Sequence, residues 1–451
     1  MAGYSPVTLI EVKAWNTRVG AIEFDPVSQV YVFEYAPDWL ASKVELAPLT
    51  MPLRQADPRF SFSNLDRQTF KGLPGMIADS LPDAFGNAVI DAYLAENGIP
   101  ASRITTLDRL AYLGQRGMGV LEYHPVSTNF QHSPSAIQIA DLVVGARTVI
   151  AGNIDRSKDI SEAIQALIQV GSSAGGARAK AVIAFNPQTG QVRSPLAEAA
   201  AGFQPWLLKL DGVSAAADAS VNSQDAPDEY TRIEYAYYLM AQASGIQMME
   251  SQLLLEGDRA HFLTKRFDVD ESGERVHAQT LCALAHLDFR MKQTHSYAQY
   301  FEAILGLAQA DPLTASGQEL ADSANALEQA FRRMVFNVAA MNRDDHTKNF
   351  GFLLGKGGSW KLAPAYDVTH AHNPVGEWTQ KHQLSINGKF DGITLRDIHS
   401  VGDRFDVPGY RQIAREVLSA VSHWPDFAGE AGLSRAQTQR IANDLREHPL
   451  H

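Results

Sequence analysis

Apolar residues alternate or run together over Val7–Trp15, Val19–Phe24 and Val30–Tyr35, with Asp25-Pro-Val-Ser28 between the last two. Such period-two runs broken by turn residues predict a small antiparallel sheet. From Asp83 to Glu96 the apolar positions recur at helical spacing, after the turn and helix-start signals Pro74-Gly75 and Ser80-Leu-Pro-Asp83, and Asn97-Gly98-Ile-Pro100 supplies a stop. Asp79 and Asp83 read as caps in this setting. The first module, residues 1–126, is therefore expected to be α+β, and the aperiodic polar stretch Ser127–Ser135 is the best linker. Beyond it the pattern predicts helices over Ile137–Val149 and Asp159–Val170, a strand over Ala181–Phe185, and another over Pro205–Leu210. A helix over Asp228–Ala243 follows, then a hairpin of Leu253–Glu256 and His261–Lys265 around Gly257-Asp258. After Arg266-Phe-Asp-Val-Asp270 the chain becomes mostly helical, over Tyr297–Leu307, Gly317–Met341, Pro408–Val421 and Arg435–Leu445. One hairpin interrupts it, Phe350–Leu354 and Trp360–Leu362 about Gly355-Lys-Gly-Gly-Ser359.

Composition narrows the class. With 451 residues, 45% apolar and 20% charged, the chain is globular and long enough for two or three domains. No run of eighteen apolar residues occurs, and Met1-Ala-Gly-Tyr-Ser-Pro lacks the basic start and apolar core of a signal peptide, so a cytoplasmic protein is expected. The single cysteine, Cys282, cannot form an internal disulfide and reads as a small buried hydrophobe. A net charge of −12 argues against autonomous nucleic-acid binding, which needs a basic surface, so any DNA contact is expected through a partner. The arginines of the last two helices, Arg411, Arg415, Arg435, Arg440 and Arg446, read as a solvated face.

Candidate chemistry concentrates in Met341-Asn-Arg-Asp-Asp-His-Thr-Lys-Asn-Phe350 and Leu362-Ala-Pro-Ala-Tyr-Asp-Val368. Phosphoryl transfer from a nucleotide to a hydroxyl needs a carboxylate facing the acceptor oxygen and oxygen ligands for a metal. In protein kinases the second group is an Asn five positions after the catalytic Asp, and a metal-binding Asp follows beyond a short hairpin. Asp344, Asn349 and Asp367 have that order, although each alone reads more readily as a loop or cap residue. Gly171-Ser-Ser-Ala-Gly-Gly-Ala-Arg-Ala-Lys180 combines small residues with Arg178 and Lys180, a pattern that suits a phosphate but by itself reads more readily as a flexible loop. It is not the Walker pattern. Lys209 interrupts an apolar strand, and a buried ammonium requires an anion or a route to water. Glu234, ahead of Glu229, is the favoured helix partner. His346, His370 and His372 cluster along the sequence with Asp344 and Asp367, yet no cysteine lies nearby, so a zinc site is not expected.

These segments together resemble the HipA family of serine/threonine kinase toxins. The resemblance rests on Ser173-Ala-Gly-Gly-Ala-Arg-Ala-Lys180, the Leu-Lys strand, Lys265-Arg266-Phe267-Asp, Asp-x-His-x-Lys-Asn and Ala-Pro-Ala-Tyr-Asp, and extends to Asp79-Ser-Leu-Pro-Asp83 and His382-Gln-Leu-Ser-Ile-Asn-Gly388. It implies an α+β, two-lobed, protein-kinase-like fold. The N-terminal subdomain would span 1–126, the β-rich N-lobe core 136–267 and the mostly helical C-lobe 268–451. It further implies ATP and Mg²⁺ as cofactors and the toxin role in a type II toxin–antitoxin pair with a DNA-binding HipB-like antitoxin. The protein substrate would be a translation component such as an aminoacyl-tRNA synthetase. Carried over by position, Asp344 would be the base, and Asn349 and Asp367 would hold Mg²⁺. Gly175, Gly176, Ala177, Arg178, Ala179 and Lys180 would form the nucleotide loop, Lys209 would contact phosphate and Lys265, Arg266 and Phe267 would form the hinge, with His346, Lys348 and Tyr366 lining the pocket. Ser173, or its neighbour Ser172, would be the autophosphorylated residue that silences the kinase. The loop departs from the best-known family pattern, having Arg178-Ala179 where that pattern has Gln-Glu. A small-molecule phosphotransferase and a catalytically idle co-repressor subunit are the alternative readings.

Overall fold

The computed structural model describes residues 4–96, 98–126, 138–151, 167, 179–195, 201–213, 229–310, 317–357, 359–447 and 450. The chain divides into two compact units: Met1–Val44, Gln55–Thr231 and Ser251–His277 form the first, and Glu45–Arg54, Arg232–Glu250 and Ala278–His451 the second.

The first unit contains two five-stranded antiparallel sheets. In the N-terminal one, β1 (Leu9–Ala14), β2 (Thr17–Asp25) and β3 (Val30–Tyr35) are joined by β4 (Arg59–Phe60) and β5 (Glu122–His124), in the order β4-β3-β2-β1-β5. Ile10, Val12 and Ala14 are buried while their neighbours are not, so the alternation in the sequence is the alternation of the sheet's two faces. The β1–β2 turn is made by Trp15 and Asn16, both with positive φ (49° and 61°), the sign pattern that matches a tight hairpin to the strand twist. The second sheet has the order β7-β6-β8-β10-β9. Its strands are β6 (Lys180–Asn186), β7 (Gln191–Arg193), β8 (Gln204–Lys209), β9 (Ser251–Glu256) and β10 (Arg259–Lys265). Nearly every residue of β6 is buried, which explains its continuous apolar run. Leu142, Val143 and Ala146 of the helix Ile139–Ala151 share a core with Ile183, Phe185 and Trp206.

The second unit is built on the helix Gly317–Ala339. Phe331, Met334, Val335, Phe336 and Val338 of its last half are all fully buried, and the polar Gln329, Arg333 and Asn337 among them are buried too, which marks a helix surrounded by others. Each such side chain contributes about 1.5–3 kcal/mol by leaving water. Around it pack the helices Tyr230–Ala243, Tyr297–Ala310, Tyr410–Ser422, Trp424–Glu430 and Arg435–Arg446. A three-stranded sheet, ordered β11-β13-β14, is formed by β11 (His277–Thr280), β13 (Gly351–Leu354) and β14 (Trp360–Leu362). A short parallel pair joins β12 (His295–Ser296) to β15 (Leu384–Ser385). Among the described residues no helix is long and apolar enough to cross a membrane.

The expected helix over 159–170, apart from Leu167, and the expected linker 127–135 lie outside the described residues. Asp83 does cap the helix Ala84–Glu96, accepting from the Gly86 N–H at 2.7 Å. Asp79 stands at the C-terminal end of the short helix Gly75–Ala78.

Candidate active site

The loop between the helix Gly317–Ala339 and β13 is anchored by one inward carboxylate. Asp345 is 1% exposed. Its Oδ2 accepts from the Tyr297 hydroxyl at 2.7 Å and lies 2.9 Å from His382 Nδ1, while Oδ1 accepts from the Gln383 N–H at 2.7 Å. Asn337 Nδ2 donates to the Tyr297 oxygen at 3.0 Å, and Asn342 Nδ2 donates to Asn337 Oδ1 at 2.9 Å. Burial, with the Asp345 charge beside it, raises the Tyr297 hydroxyl well above its ordinary pKa and keeps it a donor.

With Asp345 turned in, its neighbour Asp344 is left out: that side chain is 44% exposed, with His346 Nε2 at 3.7 Å from Oδ1. Thr347–Asn349 form a single 3₁₀ turn, held by Thr347 Oγ1 donating to the Leu287 carbonyl at 2.6 Å. Asn349 Nδ2 donates to the Asp344 carbonyl at 2.7 Å. Only the NH₂ side of an amide can serve a carbonyl, so this bond fixes the orientation of Asn349 and leaves Oδ1 as the amide atom available to a cation.

The β13–β14 hairpin returns the chain, and the Ala363 N–H donates to the Gly351 carbonyl at 2.9 Å. A Cβ on Gly351 would stand 3.1 Å from the Tyr366 ring and 3.2 Å from Ala363 Cβ, so glycine here admits the returning segment. Tyr366 then donates its hydroxyl to the Lys348 carbonyl at 2.7 Å. One hydrogen bond thus joins the residue before Asn349 to the residue before Asp367. Asp367 itself bends sharply in the left-handed region, at φ 52°. Phe289, which the sequence did not single out, is shared by two neighbours: the His346 ring centroid is 5.3 Å away, and Lys348 Nζ lies 5.1 Å from its centroid.

Two hydrogen bonds thus tie Asp344, Lys348, Asn349 and Tyr366 together in the second unit, with His346 on the same loop and Asp367 next to Tyr366. Oxygen donors of this kind, one carboxylate and one amide, suit Mg²⁺, which takes few protein ligands and completes its shell with phosphate and water. His370 and His372 do not gather with Asp344 and Asp367 as they do in the sequence; they come together with Asp444. Glu234 is buried in the helix Tyr230–Ala243.

The remaining candidates lie in the first unit. Lys180 and Lys209 face each other in register on β6 and β8, both buried. Lys180 Nζ is 3.8 Å from Asp83 Oδ2, and Lys209 Nζ is 5.9 Å from the Phe262 ring centroid. Ala179 precedes β6, its carbonyl accepting from the Leu210 N–H. Lys265 ends β10. Arg266 forks onto Asp268 at 2.8 and 2.6 Å, and both are buried. Burial pushes the Asp268 carboxyl up, but the Arg266 guanidinium more than offsets this and holds it below the usual range. Asp268 also accepts from the Gly119 N–H at 2.7 Å, so the stretch that the sequence suggests as a hinge is fixed here by structural bonds. Gly175, Gly176, Ala177, Arg178, Ser172 and Ser173 lie outside the described residues. The inward trio of Asp345, Tyr297 and His382 was missed as a unit. The Asp344-Asp345 doublet and the His382–Gly388 motif signalled two of its members, and nothing signalled Tyr297.

A β-rich N-terminal part followed by a mostly helical region makes this an α+β protein. Residues 172–449 match the model of the HipA-like C-terminal domain and residues 10–124 that of the HipA N-terminal domain. The chain belongs to the HipA family. Among solved structures it is similar to HipA of Shewanella oneidensis MR-1, seen in a complex of the toxin–antitoxin system HipA, HipB and its operator DNA. The identity is 17% and the TM-score 0.61, over 98% of this chain and 96% of that one. A second similar structure is the proinflammatory kinase CtkA of Helicobacter pylori, at 13% identity and a TM-score of 0.31, over 60% of this chain and 94% of that one.

Proposed function

We propose that the chain is an ATP- and Mg²⁺-dependent serine/threonine protein kinase, the toxin of a HipA-like toxin–antitoxin pair, acting in the cytoplasm on a translation component such as an aminoacyl-tRNA synthetase. The observation that supports this reading is the pair of bonds from Asn349 to the Asp344 carbonyl and from Tyr366 to the Lys348 carbonyl, which ties the loop of Asp344 and Asn349 to the segment that leads into Asp367. Asp344 accepts the proton-bearing hydroxyl of the acceptor and orients its oxygen. Asn349 Oδ1 and the Asp367 carboxylate are the groups that would hold Mg²⁺, which when bound neutralises charge developing on the phosphoryl oxygens. Lys209 is the candidate for phosphate contact, with Glu234 in support. Gly175–Lys180 would cover the nucleotide, Lys265–Phe267 would meet its base, and Ser173 or Ser172 would take a self-limiting phosphate.

The partner is proposed to be a DNA-binding, HipB-like antitoxin. Family membership supports it, as does the similar Shewanella HipA, seen together with HipB and operator DNA, and a net charge of −12 favours DNA contact through that partner.

Intact and peptide mass spectrometry of the purified chain, before and after incubation with Mg·ATP and a serine-containing protein acceptor, tests the reading. Asp344→Gln and Asp367→Asn are each expected to lower phosphate transfer at least ~10²-fold with unchanged circular dichroism. Near-normal transfer in either variant would remove that residue from the mechanism. Transfer to small molecules alone would replace the protein-kinase reading.

A further inference from the structure

Away from the catalytic loop, two histidines and a carboxylate converge. His370 and His372 lie on the extended segment that follows Asp367, and Asp444 is on the C-terminal helix Arg435–Arg446. One ligand atom from each lies within 4.8 Å of the other two. His370 Nε2 is 3.0 Å and His372 Nδ1 3.8 Å from Asp444 Oδ2. Both ring nitrogens are buried, and although burial pushes the Asp444 carboxyl up, the two imidazoles together hold it well below the usual carboxylate range. Two imidazoles thus converge on one carboxylate oxygen at close range. Ligand atoms around a tetrahedral metal with bonds of about 2.0–2.1 Å stand about 3.4 Å apart, which falls between the two distances seen here.

We propose that His370, His372 and Asp444 bind a divalent transition-metal cation of the zinc class, with water as the fourth ligand. Imidazole nitrogen selects such a cation over Mg²⁺, so this centre is chemically distinct from the oxygen pair of Asn349 and Asp367. The three side chains are 3, 15 and 24% exposed in the order His370, His372, Asp444, which leaves a route for the ion on the carboxylate side. Arg440, one turn earlier on the same helix, lies 3.8 Å from Asp444 Oδ2, and its side chain is 48% exposed, free to swing into water when a cation arrives. The metal would act as a staple. The Arg343 N–H donates to the Ala371 carbonyl and the Ala371 N–H to the Met341 carbonyl, both at 3.1 Å, so the histidine segment is bonded to the residues that enter the Asp344 loop. A filled site ties the C-terminal helix to that entry.

The test uses the full, untagged chain, stripped with a chelator and desalted, with Co²⁺ as the spectroscopic probe and Zn²⁺ as its competitor. One equivalent of Co²⁺ is expected to bind with the intense visible absorption of a four-coordinate site, and Zn²⁺ should bleach it and raise the melting temperature. His372→Ala and Asp444→Asn should each weaken binding by ~10–100-fold or more, since loss of even a supporting group has that effect. Circular dichroism should be unchanged in His372→Ala, whose ring is at the partly exposed side. Asp367→Asn should leave the band intact. The proposal fails if the wild type binds neither ion at large molar excess, if the band survives both His372→Ala and Asp444→Asn, or if Asp367→Asn removes it.

Discussion

Asp344 and Asp345 are the same residue twice in a row, and their surroundings give them opposite tasks. The first exposes nearly half of its side chain, so replacing it changes little that folding depends on. The second receives three donors in the interior. Asp345→Asn turns an NH₂ group toward donors that need an acceptor, and a buried donor left unmatched costs about 1–3 kcal/mol. Urea denaturation should therefore place Asp345→Asn about 1–3 kcal/mol below wild type and Asp344→Asn within about 0.5 kcal/mol of it. Equal losses in the two variants would contradict the division of labour. His286 offers a residue-scale test in pH. It follows the helix Leu281–Ala285 at φ 52°, and burial holds its imidazole down at about 4. Above pH 6.5 the ring is neutral in both folded and unfolded chains. Between 6.5 and about 4 only the unfolded chain takes up the proton, so stability falls as pH falls, by on the order of 2–3 kcal/mol. His286→Asn keeps a residue that tolerates the left-handed backbone and cannot titrate, and its stability should lose that slope.

At the scale of elements, the end of β10 and the loop 114–119 are held by charge. Arg266 and Asp268 bind each other, Asp268 takes the Gly119 N–H, and Arg275 donates to the Gly117 carbonyl at 2.8 Å and the Gln115 carbonyl at 3.0 Å. Asp268→Ala would strand a buried guanidinium, at a cost of about 3–5 kcal/mol, whereas Arg266→Met with Asp268→Asn should recover most of it, because the remaining amide oxygen still meets Gly119. Chemical denaturation of both variants decides this, and a double variant as unstable as the single one would refute it. Elements of this kind mark the limit of what the sequence makes legible. The strands β1, β2, β3, β6, β8, β9 and β10 and the long helices announce themselves through period and turn residues. β4, β12 and β15, each two residues long, carry no period to detect. The hairpin that separates Asn349 from Asp367 was readable because glycines mark its turn between two short apolar runs. The partners of Asp345 were not, since they lie 37 and 48 residues away and ordinary side chains give no notice of such pairing.

For the molecule as a whole, the β12–β15 pair carries a consequence in time. It is parallel, and its register brings His295 opposite Leu384 across roughly ninety residues of chain. Tyr297 follows β12 directly, and His382 and Gln383 directly precede β15, so all three of these partners of Asp345 arrive with one strand or the other. The long helix Gly317–Ala339 needs only neighbours in sequence to begin forming, while Asp345 waits for that wide loop to close. In pulsed hydrogen exchange during refolding, amides of that helix should gain protection in an early phase and the Gln383 N–H in a later one; simultaneous protection would show that closure is not the late event. A chain still emerging from the ribosome, with Leu384 not yet made, would then carry the Asp344–Asn349 segment without the anchor that shapes it.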